Sequence, residues 1–309
     1  MINKNILLLL LIVYLLYIRD IKIDTFINKT EKIKVAIVSM VTKQKDFDYW
    51  LYYHLKILQI DHIILRIEDT DEYKELIDLY GKDRISAKFY NKNDIDMKHN
   101  YLTIMDRQKI HVNNGIDICK KLNIDFIIHM DADELLYVDG DKNNKKNNLR
   151  KILTDIPKEY SNIHLKNYEA VFPNMNDKCF NTNKFIDCKK GRCLSYANGK
   201  SIGRVKNDIR FHGPHNFSGK TISSKENIGI LHFDSCTYNQ WETKFNLLKD
   251  TDEEKMKKIP FPFYKNSIKH LKKCNDTKSN CKKDLKEYYK KQKIDPYYKN
   301  KNREFNIPI

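Results

Sequence analysis

The stretch Phe126–Tyr137, FIIHMDADELLY, decides the fold class of this chain. A nearly continuous apolar run passes directly into three carboxylates, at Asp131, Asp133 and Glu134. Such a run is typical of a strand buried on both faces of a parallel sheet. Open α/β sheets bind their ligands at the carboxyl ends of such strands. Because three neighbouring acids repel one another, we expect a cation among them.

The spacing of the first two acids indicates which cation this is. Asp131 and Asp133 lie on the same side of an extended segment, so both side chains could reach one ion. Mg²⁺ is commonly held by one or two carboxylates together with phosphate oxygens of a substrate. The sequence therefore predicts a metal–nucleotide site; the alternative is a solvated acidic loop.

Composition narrows the class of protein. The chain has 309 residues, of which 41% are hydrophobic, enough for one large α/β domain or two small ones. The net charge is +16, but the sequence shows no zinc-finger spacing and no arginine-rich arm, so we expect no nucleic-acid partner. A basic surface would favour an anionic membrane face or a sugar-nucleotide diphosphate.

The N-terminus carries an apolar run, Ile6–Ile18, between Lys4 and Arg19. Its length, about 13 residues, is below the roughly 17–25 of a full span and suits a signal peptide or a short signal anchor. No small-residue cleavage site follows. This favours an uncleaved anchor, residues 1–19, followed by a stem, residues 20–32. We expect a single-pass, type II membrane protein in a Golgi-like endomembrane lumen. A secreted or membrane-associated protein after signal cleavage is the alternative.

The cysteines fit an oxidising compartment. Cys119 is expected to stay a free thiol on the apolar face of a helix. Disulfides are expected among the others, but their pairing cannot be read from sequence. A structural zinc site is the alternative, although no C-x-x-C pair supports it. The grouped cysteines are Cys179, Cys188 and Cys193, followed by Cys274 and Cys281.

Hydrophobic periodicity alternates between strand and helix through the first half of the chain. This alternation implies right-handed crossovers and a mainly parallel central sheet with flanking helices. Gly81 is expected to end the second helix. The predicted strands are 34–42, 62–67, 85–90 and 124–130, and the predicted helices are 46–59, 71–80 and 102–122.

The second half is less regular. Strands are predicted at 163–172 and 229–233, and a helix at 241–248. The Asp-, Asn- and Lys-rich segment 139–148 is predicted to be a surface loop. We assign residues 33–250 to one domain, with a Lys- and Tyr-rich extension, 251–309, packed on it or trailing from it.

Six motifs follow one another along the chain. They are YWLYYHL (Tyr49–Leu55), DADELL (Asp131–Leu136), GKSIGRV (Gly199–Val205), FHGPH (Phe211–His215), LHF (Leu231–Phe233) and WETKF (Trp241–Phe245). In this order they resemble the glycosyltransferase family 2-like and family 92-like enzymes. The resemblance covers about residues 33 to 250 and implies a GT-A (Rossmann-like) fold, a nucleotide-diphosphate-sugar site and a divalent metal, Mn²⁺ or Mg²⁺. Relatives often carry Glu before the first helix, where this chain has Asp46 and Asp48.

The resemblance also implies roles for individual residues. Asp131, Asp133 and His232 would hold the metal, with His212 and His215 as alternates to His232; imidazole with carboxylates suits Mn²⁺. Lys200, Arg204 and Lys244 could neutralise the leaving diphosphate, although each could equally be a plain surface cation. Asp69 could instead cap a helix. The residues implied to bind the sugar nucleotide are Thr42, Glu68, Asp69, Gln108, Asp131, Lys200, Arg204 and Lys244.

The expected reaction is transfer of a sugar from a nucleotide diphosphate to an acceptor hydroxyl on a glycan, glycoprotein or glycolipid, through an oxocarbenium-like state. If the enzyme inverts, as the resemblance implies, a carboxylate must deprotonate the acceptor. The candidates are Glu169 first, then Asp234 and Glu134.

Two other functions stay open. A nucleotidyltransferase would also use paired carboxylates, but it usually has a glycine-rich phosphate loop near the first strand, and Ser39–Lys45 (SMVTKQK) contains no glycine. An inactive, membrane-anchored binding module would tolerate replacement of Asp131 and Asp133.

Overall fold

The computed structural model describes residues 33–91, 103–140, 145–175, 177–188, 193–206, 208–249, 259–276, 281–299 and 302–308, together with Tyr14, Glu254 and Lys257. Residues Lys34–Ile309 belong to one compact unit. The predicted anchor and stem lie outside the described residues, apart from Tyr14. No helix in the described ranges is long and apolar enough to cross a bilayer.

The first half has the predicted alternation of strands and helices. Helix α1 continues as a π-helical turn, Tyr53–Ile57, and Gly81, at φ 96°, caps α2. The strands are β1 Val35–Val41, β2 His62–Glu68, β3 Ile85–Tyr90 and β4 Phe126–His129, and the helices are α1 Phe47–Tyr52, α2 Tyr73–Tyr80 and α3 Ile104–Lys121.

The second half contains shorter strands and four further described helices. Its strands are β5 Glu134–Val138, β6 Asn162–Leu165, β7 Asn167–Ala170, β8 Lys184–Asp187, β9 Lys200–Arg204, β10 Phe211–Gly213, β11 Asn216–Phe217, β12 Thr221–Ser223, β13 Ile228–His232 and β14 Arg303–Glu304. Its helices are α4 Lys145–Thr154, α5 Tyr238–Leu248, α6 Pro262–Asp276 and α7 Cys281–Tyr289, the last extended by a π-helical turn Lys290–Ile294 and a 3₁₀ turn Asp295–Tyr298.

The described strands form a central sheet in the order β12-β6-β9-β4-β1-β2-β3. Strands β3, β2, β1 and β4 run parallel to one another, whereas β9 runs antiparallel to both β4 and β6. The expected α/β class with a largely parallel central sheet is therefore confirmed. Since β1, β2 and β4 run the same way, their carboxyl ends meet at one edge, where the acids follow β4.

Helix α3 covers one face of this sheet. Its Val112, Ile116 and Cys119 pack on Ala36, Val38 and Ile127. At Gly115 a Cβ would lie 2.7 Å from a Val38 methyl, so glycine permits this close approach of helix to strand. Cys119 is a buried free thiol, as predicted, and burial raises its pKa to about 12.

A second described sheet has the order β14-β8-β7-β13-β5. Strand β5 follows the acids directly and pairs with β13, which aligns Glu134 with His232. Strand β7 pairs with the other side of β13 and aligns Glu169 with His232. These three polar residues therefore form one row across the sheet, on the same face.

Two of the predicted elements were wrong. The single strand predicted over 163–172 is two strands in different sheets, because the chain leaves the central sheet at Lys166, whose carbonyl bonds to Ile230 of β13. The loop predicted over 139–148 overlaps α4, in which Leu149 and Leu153 are fully buried despite the polar composition.

The C-terminal segment packs on the sheets through its described residues. Trp241 of α5 donates to Ser267 of α6 at 3.0 Å, and Tyr289 of α7 donates to the carbonyl of Ser235 at 3.0 Å. Strand β14 pairs with β8, which places Phe305 against Tyr137 and Tyr168.

The six cysteines other than Cys119 form three disulfides, Cys179–Cys236, Cys188–Cys193 and Cys274–Cys281. The zinc alternative therefore has no free thiolates in these groups. Disulfides are typical of proteins that fold in oxidising compartments.

Candidate functional site

Asp131 lies two residues after the end of β4, and its carboxylate accepts hydrogen bonds from two side chains. Its Oδ1 accepts from Gln108 Nε2 at 2.9 Å and its Oδ2 from Lys200 Nζ at 2.6 Å. Lys200 comes from β9 and is 1% exposed, whereas the Asp131 side chain is 34% exposed. Burial opposes ionisation of Asp131, but Lys200 holds its pKa well below the usual range.

Glu134 closes the turn that contains the acids. Its Oε2 accepts from the Asp131 N–H at 2.8 Å, and its Oε1 accepts from the Tyr196 hydroxyl and lies 3.5 Å from Lys200 Nζ. Because this carboxyl is fully buried, its pKa is raised to about 7 despite Lys200. Glu134 therefore fixes the backbone of the acidic turn from beneath.

Asp133, His232 and Asp234 form a cluster, called the metal cluster below. One ligand atom from each lies within 4.8 Å of the other two. His232 Nε2 faces Asp133 Oδ2 at 3.6 Å, and Asp234 Oδ1 accepts from Lys244 Nζ at 2.5 Å. His232 and Asp234 are buried, and Asp133 is partly exposed, so the cluster opens to solvent on the Asp133 side.

The electrostatics of the metal cluster favour positive charge. Burial alone would lower the pKa of His232, but the Asp133 carboxylate raises it to about 9. Burial would likewise raise the pKa of Asp234, yet Lys244 holds it well below the usual range. The Asp234 carboxylate is therefore ionised near neutral pH, and the imidazole of His232 attracts a proton.

A divalent cation fits these residues. Two carboxylates and one imidazole are a donor set that suits Mn²⁺ and related ions. Asp234 Oδ2 is buried and has no hydrogen-bond partner among the described residues. An ionised oxygen buried without a partner is costly, and a bound cation would satisfy it.

The structure brings some of the expected metal ligands together. Asp133 and His232 lie in the metal cluster, while the Asp131 carboxylate faces Lys200 and Gln108. The third member is Asp234, expected at first as a candidate base. The alternates lie elsewhere: His212 is exposed, and His215 Nδ1 bonds to the Gly199 carbonyl at 2.5 Å.

The expected nucleotide contacts on β1 and β2 meet at the same sheet edge. Thr42 is exposed just after β1. Glu68 is buried, and its carboxylate pairs with Arg66 at 2.6 Å and Arg107 at 2.9 Å. Asp69 follows in a left-handed conformation, φ 50°, and is not the N-cap of α2, which is Glu72.

The expected phosphate-binding cations have different surroundings. Lys244 lies at the metal cluster, where it also donates to the Tyr264 hydroxyl at 2.6 Å. Arg204 lies at the opposite end of β4, opposite Phe126, and bonds to the carbonyls of Tyr160 and Ile156. The structure does not place Arg204 with the other site residues.

Sequence reasoning missed several residues around the cluster. The ligand role of Asp234 had a signal, because His232-x-Asp234 repeats the spacing of Asp131-x-Asp133 on a second strand end. Cys236 also escaped notice, and its disulfide to Cys179 ties down the loop that follows Asp234. Ser195, whose Oγ lies 3.1 Å from His232 Nδ1, and Lys293, which pairs with Glu169, had no local signal in the sequence.

Comparisons with known proteins give a remote similarity. No protein-family model matches the chain. Two Arabidopsis thaliana proteins, both named glycosyltransferase-like, are 23% identical over 73% of this chain and 22% identical over 55% of it. The chain spans 58% and 36% of the length of these relatives.

Solved structures are more distant. A cytidylyltransferase from Leptospira borgpetersenii aligns over 79% of this chain and 95% of its own, at 11% identity and a TM-score of 0.34. A mannose-1-phosphate geranyltransferase from Thermus thermophilus aligns over 84% and 68%, at 8% identity and a TM-score of 0.28.

Proposed function

We propose that the chain is a metal-dependent glycosyltransferase of GT-A type, which moves a sugar from a nucleotide diphosphate to an acceptor hydroxyl. The observation that carries the proposal is the metal cluster at the carboxyl end of β4, with the buried Asp234 Oδ2, which has no hydrogen-bond partner within the described part of the chain. The glycosyltransferase-like names of the two Arabidopsis relatives support the same class of reaction.

Asp133, His232 and Asp234 would hold the divalent cation, which when bound offsets the charge on the leaving diphosphate. Lys244 keeps Asp234 ionised and stays 31% exposed, so its ammonium can also face an incoming phosphate. Gln108 and Lys200 fix the partly exposed Asp131 beside this cluster, where it can meet the ribose or sugar hydroxyls.

None of the three carboxylates considered as acceptor base is accessible to a substrate. Glu169, Asp234 and Glu134 are all fully buried, so none of them meets a substrate hydroxyl without movement of neighbouring groups. The partly exposed carboxylates at this end of β4 are Asp131 and Asp133. We therefore place the acceptor hydroxyl on the side of Asp131.

A donor screen on the full chain tests the proposal. Release of nucleoside diphosphate from a panel of sugar nucleotides is measured with Mn²⁺ and with chelator. We expect turnover that needs metal and that falls at least about 100-fold in Asp133→Ala, since a direct ligand is lost.

The matched control is Asp78→Ala, which removes an exposed carboxylate from α2 that is paired with Lys82. Its turnover should match wild type. Turnover that ignores both chelator and Asp133, or release of pyrophosphate from a nucleoside triphosphate instead, would contradict the proposal.

A further inference from the structure

A chain of buried polar contacts connects the C-terminal segment to the metal cluster. Lys293 Nζ lies 3.2 Å from Glu169 Oε1. Glu169 Oε2 accepts from Ser195 Oγ at 3.2 Å, and Ser195 Oγ lies 3.1 Å from His232 Nδ1. We call these four residues the relay. Lys293 and Glu169 are 0% exposed, and Ser195 and His232 are nearly so.

The donor and acceptor roles along the relay follow from the chemistry of its groups. A carboxylate paired with a lysine can only accept, so the Ser195 hydroxyl donates its single proton to Glu169. The same hydroxyl oxygen must then accept from His232, which places a proton on Nδ1. With Nδ1 protonated in this way, Nε2 is the nitrogen that faces Asp133 and that would bind a metal ion once its own proton is lost.

The surrounding backbone holds the relay in place. Glu169 Oε2 also accepts from the N–H groups of Leu194 and Ser195, at 2.8 and 3.2 Å. The Cys188–Cys193 disulfide fixes the chain next to that turn, and β7 sets Glu169 in register with His232. The Glu169 carboxylate therefore holds both the backbone at Leu194 and Ser195 and the Lys293 ammonium.

We propose that Lys293, Glu169 and Ser195 are positioning residues that orient His232 as a metal ligand. This inference rests on the proposed metal site and deepens it. Outer hydrogen bonds to a ligating histidine fix its tautomer and ring orientation, and their loss commonly weakens metal binding about 10- to 100-fold. It also gives Glu169 a role other than acceptor base.

Calorimetric titration of the metal-free full chain with Mn²⁺ tests the relay without any need for turnover. We expect Ser195→Ala to raise the Kd for Mn²⁺ about 10- to 100-fold. Ser195→Thr, which keeps the hydroxyl, should restore the Kd to within about threefold of wild type. Lys293→Met should weaken Mn²⁺ binding as well, provided that this variant folds.

Ser267→Ala is the matched control, because Ser267 is also fully buried and also hydrogen-bonded, to Trp241, but lies outside the relay. Its Kd should stay within about twofold of wild type, since it contacts no proposed ligand. Thermal unfolding of each variant verifies that Ser195→Ala and Ser267→Ala are equally folded.

An unchanged Kd in folded Ser195→Ala would overturn the relay while leaving the metal site intact. A wild-type chain that does not bind Mn²⁺ would overturn the metal site and the relay together. Mn²⁺ binding that depends on Ser195, without turnover of any sugar nucleotide, would support the relay and refute the transferase function.

Discussion

At the scale of single residues, two buried lysines neutralise part of the negative charge of the acidic side chains. Three neighbouring carboxylates require positive charge nearby. Lys200 of β9, which is 69 residues further along the chain than Asp131, supplies one such charge. Lys293 does the same for Glu169, from 124 residues away. Lys244 pairs with Asp234 Oδ1, but Asp234 Oδ2 is buried and has no hydrogen-bond partner among the described residues, and this is why we assign the metal to the metal cluster and not to Asp131.

Replacement of Lys200 by Met should destabilise the protein. It would leave Glu134 buried without its cation, and loss of one partner of a buried ion pair costs about 3–5 kcal/mol. Because Asp131 is partly exposed and screened by solvent, we expect a loss at the low end, about 3 kcal/mol, in urea unfolding.

The compensated variant Lys200→Met/Glu134→Gln provides the control, since it removes the buried anion as well. It should recover about half of the lost free energy. A single variant that loses less than about 1 kcal/mol would show that Lys200 is not the counter-ion of the acidic turn.

At the scale of elements, helix α1 holds strand β5, and thereby the acids, in position. Trp50 Nε1 donates to the Glu134 carbonyl at 2.7 Å, and the Tyr53 hydroxyl donates to the Leu136 carbonyl at 3.1 Å. His54 Nε2 accepts from the Leu136 N–H at 3.3 Å. The side chains of the YWLYYHL motif thus hydrogen-bond to backbone groups at the outer edge of β5, as a neighbouring strand would.

His54 should make the stability of this arrangement depend on pH. Its Nδ1 lies 2.9 Å from the Trp50 carbonyl, and burial lowers its pKa from 6.5 to about 3. Between these values the unfolded chain binds a proton that the folded protein does not. The contribution is therefore fully present above pH 6.5 and is lost as the pH falls toward 3.

Urea unfolding at a series of pH values measures this effect. Between about pH 6.5 and pH 5, wild type should lose about 2 kcal/mol more than His54→Gln, which cannot take up the proton. His111 and His129 have lowered pKa values as well, so both proteins retain some slope. Parallel curves for the two proteins would show that His54 is not held neutral.

At the scale of the whole molecule, the C-terminal segment completes the fold and the candidate site. It contributes strand β14 to the second sheet, Tyr289 to the loop after Asp234, and Lys293 to the relay. Phe305 fills the space between Tyr137, Tyr168 and Phe185. A catalytic fragment that ends near residue 250 would lack all of these contacts.

Phe305→Ala should therefore cost about 3–5 kcal/mol, as for a large aromatic side chain deleted from a core. The matched control is Leu247→Ala, since Leu247 is 81% exposed and should change the free energy of unfolding by less than about 0.5 kcal/mol. Equal stability of the two variants would show that the C-terminal segment is dispensable to the core.

Much of the fold could be predicted because its signals are local. The apolar run before Asp131 and the helical spacing around Trp50 specify burial over a few residues, and the strands β1–β4 follow. The failures have local causes too. The split between β6 and β7 lies within one stretch of mixed polar and apolar residues, and α4 begins with four polar residues, so neither boundary was evident from the sequence.

The α/β alternation and the position of the acids at the end of a buried strand follow from local sequence patterns, because burial periodicity acts between near neighbours along the chain. The grouping of acids in the metal cluster, the pairing of the cysteines and the lysines that neutralise Asp131 and Glu169 depend on tertiary contacts. The physical reason is that strand register sets where each side chain points, and it brings together groups that are far apart in sequence.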